Sequence, residues 1–382
     1  MEENKINKLV KNGLFIGFIL LLFIPIIQQK KKFIELEPLN GSFEVAAYPT
    51  FSIREWFDGS YQTKKQLYLE QNFGFRNLFV RFYNQAYFSL YQQPRANGVV
   101  LGKDEYLYEG NYIKAYLGTD FIGEATINEN VRKIEKVKNV LAKKGIQLVL
   151  VFAPGKASFY PEYILDSYHP KQRSKTNYET YKKALNKTTI HFLDFHQWFR
   201  SMKTTSPYPL FPKTGIHWSK YGELLAADSL VNYLNSIVLN KSLPTIKITG
   251  IKRSSKMEDT DDDIEKGLNL LYNIQDLTMG YPTFEILKDS LSNPAKVLTI
   301  ADSYYWGMFN WGCSRDVFND GQFWYYNKQI YPDSYTKPIE VKDINLVKEV
   351  EKNDVVVVLA TDANLYQFGF GFFDQMYERL KN

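Results

Sequence analysis

Two apolar patterns alternate along most of the chain. Short runs in which every position is apolar, such as Leu148-Val149-Leu150-Val151-Phe152 and Val355-Val356-Val357-Val358-Leu359, read as strands buried on both faces. That is the environment of a parallel sheet covered by helices on each side. Longer segments with apolar residues at helical spacing separate them. The predicted order is helix 128–144, strand 147–153, helix 175–186, strand 189–194, helix 221–238, strand 297–301, helix 344–351 and strand 354–361. Such βα alternation predicts an α/β fold, a three-layer α/β/α domain with a mainly parallel sheet over residues 98–382.

The amino-terminal part follows another pattern. From Gly13 to Ile27 fifteen consecutive residues lack a charge or a strongly polar group, with Lys5, Lys8 and Lys11 before them and Lys30-Lys31-Lys32 after. The run is shorter than the roughly 20 residues that cross a bilayer, but Gln28 and Gln29 with snorkelling lysines extend it. No small-x-small cleavage site follows, so residues 1–32 read as an uncleaved signal anchor rather than a removed signal peptide. Lysines at both ends give the positive-inside rule no preference. Residues 33–97 are expected to form a tether (Phe33 to about Tyr48) and a helical juxtamembrane region. The helical pattern of 52–90 carries Trp56, Phe57, Tyr68, Phe73, Phe75, Phe79, Phe82 and Tyr83 and is broken at Gly74, which predicts two helices. Its aromatic stripe reads first as core packing, with a partner-docking surface as the alternative.

Composition narrows the function. At 382 residues and 45% hydrophobic content, the chain can bury a large core and carry an appendage. Lys and Arg (47) nearly balance Asp and Glu (42), and no basic stripe with interleaved aromatics appears, so nucleic acid is not an expected partner. The residual charge of +5 suits an anionic polysaccharide or lipid headgroups, yet most such excesses are solvated surface. Aromatics at 16%, with 28 tyrosines, suit sugar stacking or plain compositional drift equally. The single cysteine, Cys313, cannot form an intramolecular disulfide or a cysteine-based zinc site. The stretch 254–265, with Asp259, Asp261, Asp262 and Asp263, lacks the spacing of a calcium loop and reads as solvated. Neither a metal nor a bound cofactor is expected, and no phosphate loop, dinucleotide fingerprint or repeat is visible.

Two separated stretches carry the candidate chemistry: Thr214-Gly215-Ile216-His217-Trp218-Ser219-Lys220-Tyr221-Gly222 and Leu298-Thr299-Ile300-Ala301-Asp302-Ser303-Tyr304-Tyr305-Trp306. The second places Ser303 just past the carboxyl end of a buried strand, where α/β folds open their ligand crevices. A serine hydroxyl is a poor nucleophile until a base within hydrogen-bond reach takes its proton. Of the four histidines, His169, His191, His196 and His217, the last has the best setting, between a Pro/Gly-containing loop and a helix entrance.

These stretches, in order, resemble the SGNH hydrolase-like proteins of alginate O-acetylation, the AlgX/AlgJ group. Gly102-Lys103-Asp104-Glu105-Tyr106-Leu107-Tyr108 resembles that group's Gly-Lys-Asp-Gly-Trp-Leu-Phe motif. Val151-Phe152-Ala153-Pro154-Gly155-Lys156 with Tyr160-Pro161 resembles its strand-Pro-x-Lys-x-x-x-Tyr-Pro segment, and the likeness runs over about residues 98–380. In one place the chain departs: the family reads Asp-x-His-Trp, with the aspartate orienting the imidazole, and Gly215 stands at that position. A Ser-His dyad, an acid borrowed from elsewhere, or a degenerate site remain open. Asp194, at the end of the predicted strand 189–194, is the favoured substitute, while Asp302 is implied to be structural. Lys156, Tyr304, Trp218 and Tyr160 are the candidates for oxyanion and substrate contacts.

The resemblance implies an O-acetyltransferase anchored in the inner membrane by a single span, its catalytic domain in the periplasm or outside. It would act on polysaccharide hydroxyls through an acyl-serine, with acetyl supplied by a membrane-bound O-acyltransferase partner or an acyl carrier. A carbohydrate acetyl esterase of the same fold and a non-catalytic polysaccharide-binding scaffold are the alternatives.

Overall fold

A computed structural model describes residues 2–41, 44–168, 173–288 and 293–379; His169 lies outside the described residues. The chain forms two units, residues 1–97 with 265–273, and residues 98–264 with 274–382.

In the first unit the apolar run lies within α1 (Glu2–Lys31). Its segment Val10–Lys31 is long and apolar enough to cross a membrane. Where two helices were predicted, three form: α2 (Ile53–Phe57), α3 (Ser60–Asn72) and α4 (Arg76–Tyr91). The break at Gly74 has a steric cause. A Cβ there would stand 1.9 Å from the carbonyl oxygen of Pro25 and 2.9 Å from the nitrogen of Gln29, so only glycine lets the α3–α4 corner press its backbone onto α1.

The second unit opens with a hairpin of β1 (Val99–Leu101) and β2 (Leu107–Glu109), followed by α5 (Gly110–Leu117) and α6 (Glu124–Lys143). In chain order there follow β3 (Gln147–Ala153), α7 (Lys156–Phe159), α8 (Asn177–Leu185), β4 (His191–Asp194), α9 (Phe195–Met202) and α10 (Lys220–Ile237). A second hairpin pairs β5 (Thr245–Ser254) with β6 (Met279–Leu287); between them in the chain lies α11 (Asp263–Leu268), whose residues from 265 on belong to the first unit. The chain ends through β7 (Val297–Ala301), α12 (Tyr305–Asn310), β8 (Phe323–Tyr325), β9 (Gln329–Tyr331), α13 (Leu346–Val350), β10 (Val355–Thr361) and α14 (Phe372–Arg379).

Six of these strands make the central sheet, in the order β4-β3-β10-β7-β8-β9, parallel except for the edge pair β8–β9. Alternate side chains Leu148, Leu150 and Phe152 of β3, with Val356, Val358 and Ala360 of β10, join one core cluster with α6, α8, α13 and α14. The intervening Val149, Val151, Val355, Val357 and Leu359 are equally buried on the other face. This two-sided burial explains the uninterrupted apolar runs. α6 buries Ile127, Val131, Ile134, Val137 and Leu141 at helical spacing. Each such side chain contributes about 2 kcal/mol on burial, whereas residue propensities differ by only about 0.7 kcal/mol, so packing decides that helix.

The registers bring the carboxyl ends of the central strands together. Thr361 lies opposite Ala153 and Leu359 opposite Ala301. The segments that follow, Pro154-Gly155-Lys156, Asp302-Ser303 and Asp362, therefore leave the same sheet edge. The hairpins and β8–β9 were not predicted: β8 and β9 have three residues each, too few for a periodicity to show.

Candidate active site

At the end of β7 the chain turns through Asp302, Ser303 and Tyr304 into α12. Asp302 is fully buried and braces this turn. Its Oδ2 accepts from the Thr361 nitrogen (2.8 Å), the Thr361 hydroxyl (2.9 Å) and Asn364 Nδ2 (2.9 Å), and its Oδ1 accepts from the Tyr304 nitrogen (3.1 Å). Burial raises its pKa against these stabilising hydrogen bonds. Asp302 thus ties the turn after β7 to the turn after β10 and fixes the backbone on which Ser303 stands.

Ser303 Oγ lies 3.0 Å from His217 Nε2. On the other side of the ring, Nδ1 is 2.7 Å from Asp263 Oδ2, while Asp263 Oδ1 accepts from the Ile216 nitrogen at 2.8 Å. With Nδ1–H directed at the carboxylate, Nε2 is left as the acceptor for the serine hydroxyl. Burial works to lower the pKa of His217, but the hydrogen bond and charge of Asp263, with the charges of Asp302 and Glu223, outweigh it and the net shift is upward. The arrangement is a serine, a base and an orienting acid in the chain order His217, Asp263, Ser303.

The loop bearing His217 is held from several directions. Ser219 caps α10 by accepting from the Gly222 nitrogen (3.0 Å), and it donates to the Pro209 carbonyl (2.7 Å). The Lys213 nitrogen donates to Asp276 Oδ1 (3.1 Å), and the Thr214 hydroxyl donates to the same carboxylate. Tyr304 donates its hydroxyl to the Ile216 carbonyl (2.9 Å). Lys156 Nζ donates to the carbonyls of Lys213 (2.5 Å) and Gly215 (2.7 Å).

Several expected roles change accordingly. Asp194 is not the acid behind the imidazole. It caps α9 by accepting from the Gln197 nitrogen (2.8 Å), accepts from the Tyr178 hydroxyl (2.9 and 3.0 Å) and pairs with Lys182 (2.6 Å). The strand order explains this: β4 is three strand spacings from β7, about 14 Å. The 254–265 loop, read as solvated, supplies the acid instead. The other four candidates act in packing or bracing. Lys156 is 1% exposed and braces the 213–215 loop, its pKa pushed down to about 7 by burial although Asp276 and Asp263 oppose that shift. Tyr304 is buried as a brace of the same loop. Trp218, also 1% exposed, packs between Phe199 (5.9 Å between ring centres) and Tyr304 (5.2 Å). Tyr160 belongs to an aromatic cluster with Phe159 and Tyr106, and its carbonyl accepts from the Tyr108 hydroxyl (2.6 Å).

The remaining described histidines are engaged elsewhere. His191 Nδ1 bonds the Tyr233 hydroxyl (2.8 Å), and His196 stacks on Tyr178 (3.7 Å). One residue near the nucleophile carried no sequence signal. Tyr326, anchored by its nitrogen to the Ala301 carbonyl (2.9 Å), turns its phenol toward Ser303 and Asn364; burial raises its pKa and hydrogen bonding to those two groups offsets part of the rise. Among the described residues no group of three or more His, Cys, Asp or Glu is arranged to hold a metal ion.

Comparison with known proteins places this geometry in context. The family model of the SGNH hydrolase-like domain of acetyltransferase AlgX matches residues 99–251, a span that includes His217 and ends before Asp263 and Ser303. A probable alginate O-acetylase AlgJ of Pseudomonas syringae pv. tomato is 26% identical over 193 residues, 50% of this chain and 47% of that protein. Its namesake in Azotobacter vinelandii is 23% identical over 234 residues, 61% of this chain and 54% of that protein. The chain therefore spans about half the length of the curated relatives it matches. Among solved structures, the O-acetyltransferase domain of Pseudomonas putida AlgJ aligns with a TM-score of 0.47 at 19% identity, covering 74% of this chain and 99% of that one. Pseudomonas aeruginosa AlgX aligns with a TM-score of 0.43 at 16% identity, covering 72% of this chain and 67% of that one. By sequence the chain is similar to the SGNH hydrolase-like domain of AlgX over residues 99–251 and to AlgJ proteins over about half its length.

Proposed function

We propose that this protein is an O-acetyltransferase acting on hydroxyls of an exported polysaccharide through an acyl-serine intermediate. The observation that carries the proposal is the continuous hydrogen-bonded line from Asp263 through His217 to Ser303 at the carboxyl edge of the sheet. His217 Nε2 takes the Ser303 proton as Oγ attacks the acyl carbonyl of the donor. The tetrahedral intermediate collapses, and the leaving group departs with the proton held by His217. A sugar hydroxyl then gives its proton to His217 and attacks the acyl-serine; the ester passes to the sugar and Ser303 recovers the proton. Asp263 stabilises the imidazolium at both stages without taking a proton.

Two parts of the proposal rest on the relatives, probable alginate O-acetylases by name: the polysaccharide acceptor and the acetyl group. The donor is assigned to a membrane-bound acyltransferase or an acyl carrier, because polymers outside the cytoplasm have no soluble activated acyl pool of their own. α1 is assigned as an inner-membrane anchor with the catalytic unit on the exported side, supported by the apolar length of Val10–Lys31.

The test is incubation of the purified full chain with an activated acetyl ester, with and without an oligosaccharide acceptor. Acetyl on the Ser303 peptide, followed by acetylated oligosaccharide, is the expected result. Release of free acetate only, even at high acceptor concentration, would replace the transferase by an esterase. No label on Ser303 would leave a scaffold.

A further inference from the structure

Helix α4, within the first unit, is inverted. The side it packs with is polar except for the buried Phe88. Asn77 Nδ2 donates to the Glu37 carbonyl (2.9 Å), Arg81 to the carbonyls of Pro38 (2.8 Å) and Leu270 (3.4 Å), and Asn84 to the Leu268 carbonyl (2.7 Å). Gln85 Oε1 accepts from the nitrogens of Leu271 (3.2 Å) and Tyr272 (3.1 Å). These four residues follow helical spacing and bind backbone groups of the tether and of residues 268–272.

The outward side is apolar. Phe79, Phe82, Tyr83 and Leu90 are 52%, 65%, 45% and 74% exposed and fall on one stripe of the helix. An ordinary helix on a soluble protein places these two faces the other way round. A contiguous aromatic stripe of this kind marks a surface with a non-aqueous neighbour.

Three observations identify that neighbour. The α3–α4 corner rests on α1 at Pro25 and Gln29, inside the span-length segment Val10–Lys31, so α4 begins where that segment ends. Cations outnumber the one carboxylate at the same level: Lys32 and Arg76, with Glu35, line one cleft at the junction of α1 with the corner, and Lys30 and Lys31 precede them in the last turn of α1. The exposed rings are Phe and Tyr, residues that settle at the boundary between headgroups and acyl chains.

We propose that the Phe79–Phe82–Tyr83–Leu90 face of α4 lies in the interfacial layer of the lipid bilayer that α1 crosses, with Lys32 and Arg76 meeting anionic lipid phosphates. The proposal rests on α1 being a membrane anchor. It makes the first unit a collar seated in the membrane surface rather than a spacer in water.

The test uses the full chain reconstituted in phosphatidylcholine vesicles containing phosphatidylglycerol. An environment-sensitive fluorophore is attached at Phe82→Cys, Leu90→Cys or, as a marker of the anchor, Leu22→Cys; the native Cys313 is buried, and the unsubstituted chain gives the background. The expected result is loss of fluorescence at positions 82 and 90 with brominated acyl chains, comparable to position 22, and no loss with aqueous iodide. Iodide quenching at 82 and 90, with position 22 quenched by bromolipid, would overturn the proposal while keeping the anchor. Protection of 82 and 90 from both quenchers would also overturn it, in favour of a face covered by a second copy. A failure of bromolipid to quench position 22 would remove the anchor and the collar together.

Discussion

Gly215 and Asp261 are pressed together so closely that a Cβ on the glycine would stand 2.6 Å from the aspartate's carbonyl oxygen. The Asp-x-His pattern would hold its acid at this position, and here the backbone of residues 260 and 261 fills the space. The same segment, two residues on, supplies the carboxylate of Asp263. The loop that closes one position for the acid therefore opens another, and the imidazole keeps a carboxylate at Nδ1.

Asp263→Asn is expected to lower acetyl transfer by about 10³–10⁴-fold, because the amide presents the wrong partner to Nδ1 while its oxygen keeps the Ile216 contact. Gly215→Asp in that background should restore nothing and should reduce the melting temperature, since the backbone beside it cannot yield cheaply. Asp194→Asn should leave turnover near that of the wild type, as Asn serves as a cap about as well as Asp. Rescue by Gly215→Asp, or a large loss in Asp194→Asn, would place the acid elsewhere.

Ser303→Ala and His217→Ala should each abolish transfer with little change in melting temperature, and the double variant should be no worse than either, because the pair acts as one unit. Losses that multiply in the double variant would count against a shared proton path.

The pH dependence follows from the upward shift of His217. The base must be neutral to take the Ser303 proton, so the rate rises as pH increases through the pKa of the imidazole. That acidic limb should lie above the ordinary histidine range. Removing the Asp263 charge takes away the main influence that raises this pKa, so the limb of Asp263→Asn should move to lower pH even as its plateau falls. A limb that stays in place would mean that the titrating group is not His217.

The legible part of the protein was the part whose burial is regular. β3, β7 and β10 are buried on both faces; β3 and β10 appeared as unbroken apolar runs and β7 as a run of β-formers interrupted only by Thr299, while α6 and α10 appeared through their periodic faces. Ser303 and His217 were legible because a strand end and a helix entrance give them fixed local settings. Asp263 was not: its partners His217 and Ile216 are 46 and 47 positions away in the chain, and a run of aspartates looks the same whether it faces water or an imidazole. Lys156 and Trp218 misled for the converse reason. A lysine after a strand and a tryptophan beside the base suggest ligand contacts, but both are enclosed, one donating to loop carbonyls and the other filling space beside Phe199. α4 misled as well, since its aromatic stripe reads as core and faces outward.

Lys156 titrates near neutrality because burial disfavours its ammonium form. Below about pH 7 the native state carries a buried charge that the unfolded state solvates. As pH rises from there toward the ordinary lysine value of about 10.5, the native amine is neutral while the unfolded one is still charged, and stability increases. Lys156→Met lacks this slope and leaves the Lys213 and Gly215 carbonyls without their donor, at a cost of about 1–3 kcal/mol. The melting-temperature difference between variant and wild type should be more negative at about pH 9 than at about pH 6. A difference independent of pH would show that Lys156 remains charged throughout.

Asp261 carries the opposite dependence in the segment that delivers the acid. Burial pushes its carboxyl up to about 8, so the native state holds a proton that the unfolded state releases near the ordinary carboxylate value. Its contribution to stability is fully present below about pH 4 and is lost as pH rises through about 8, where the buried carboxylate ionises. Asp261→Asn cannot ionise and keeps the shape of the side chain. Relative to wild type it should gain about 2–5 kcal/mol between about pH 4 and pH 9, read as a melting-temperature difference that grows with pH. Because the Asp261 carbonyl abuts Gly215 and Asp263 lies two residues on, the variant should also hold its acetyl-transfer rate at alkaline pH better than the wild type does. A stability difference that is flat in pH would mean that Asp261 is ionised in the native protein, and its loop would then owe its placement to another group.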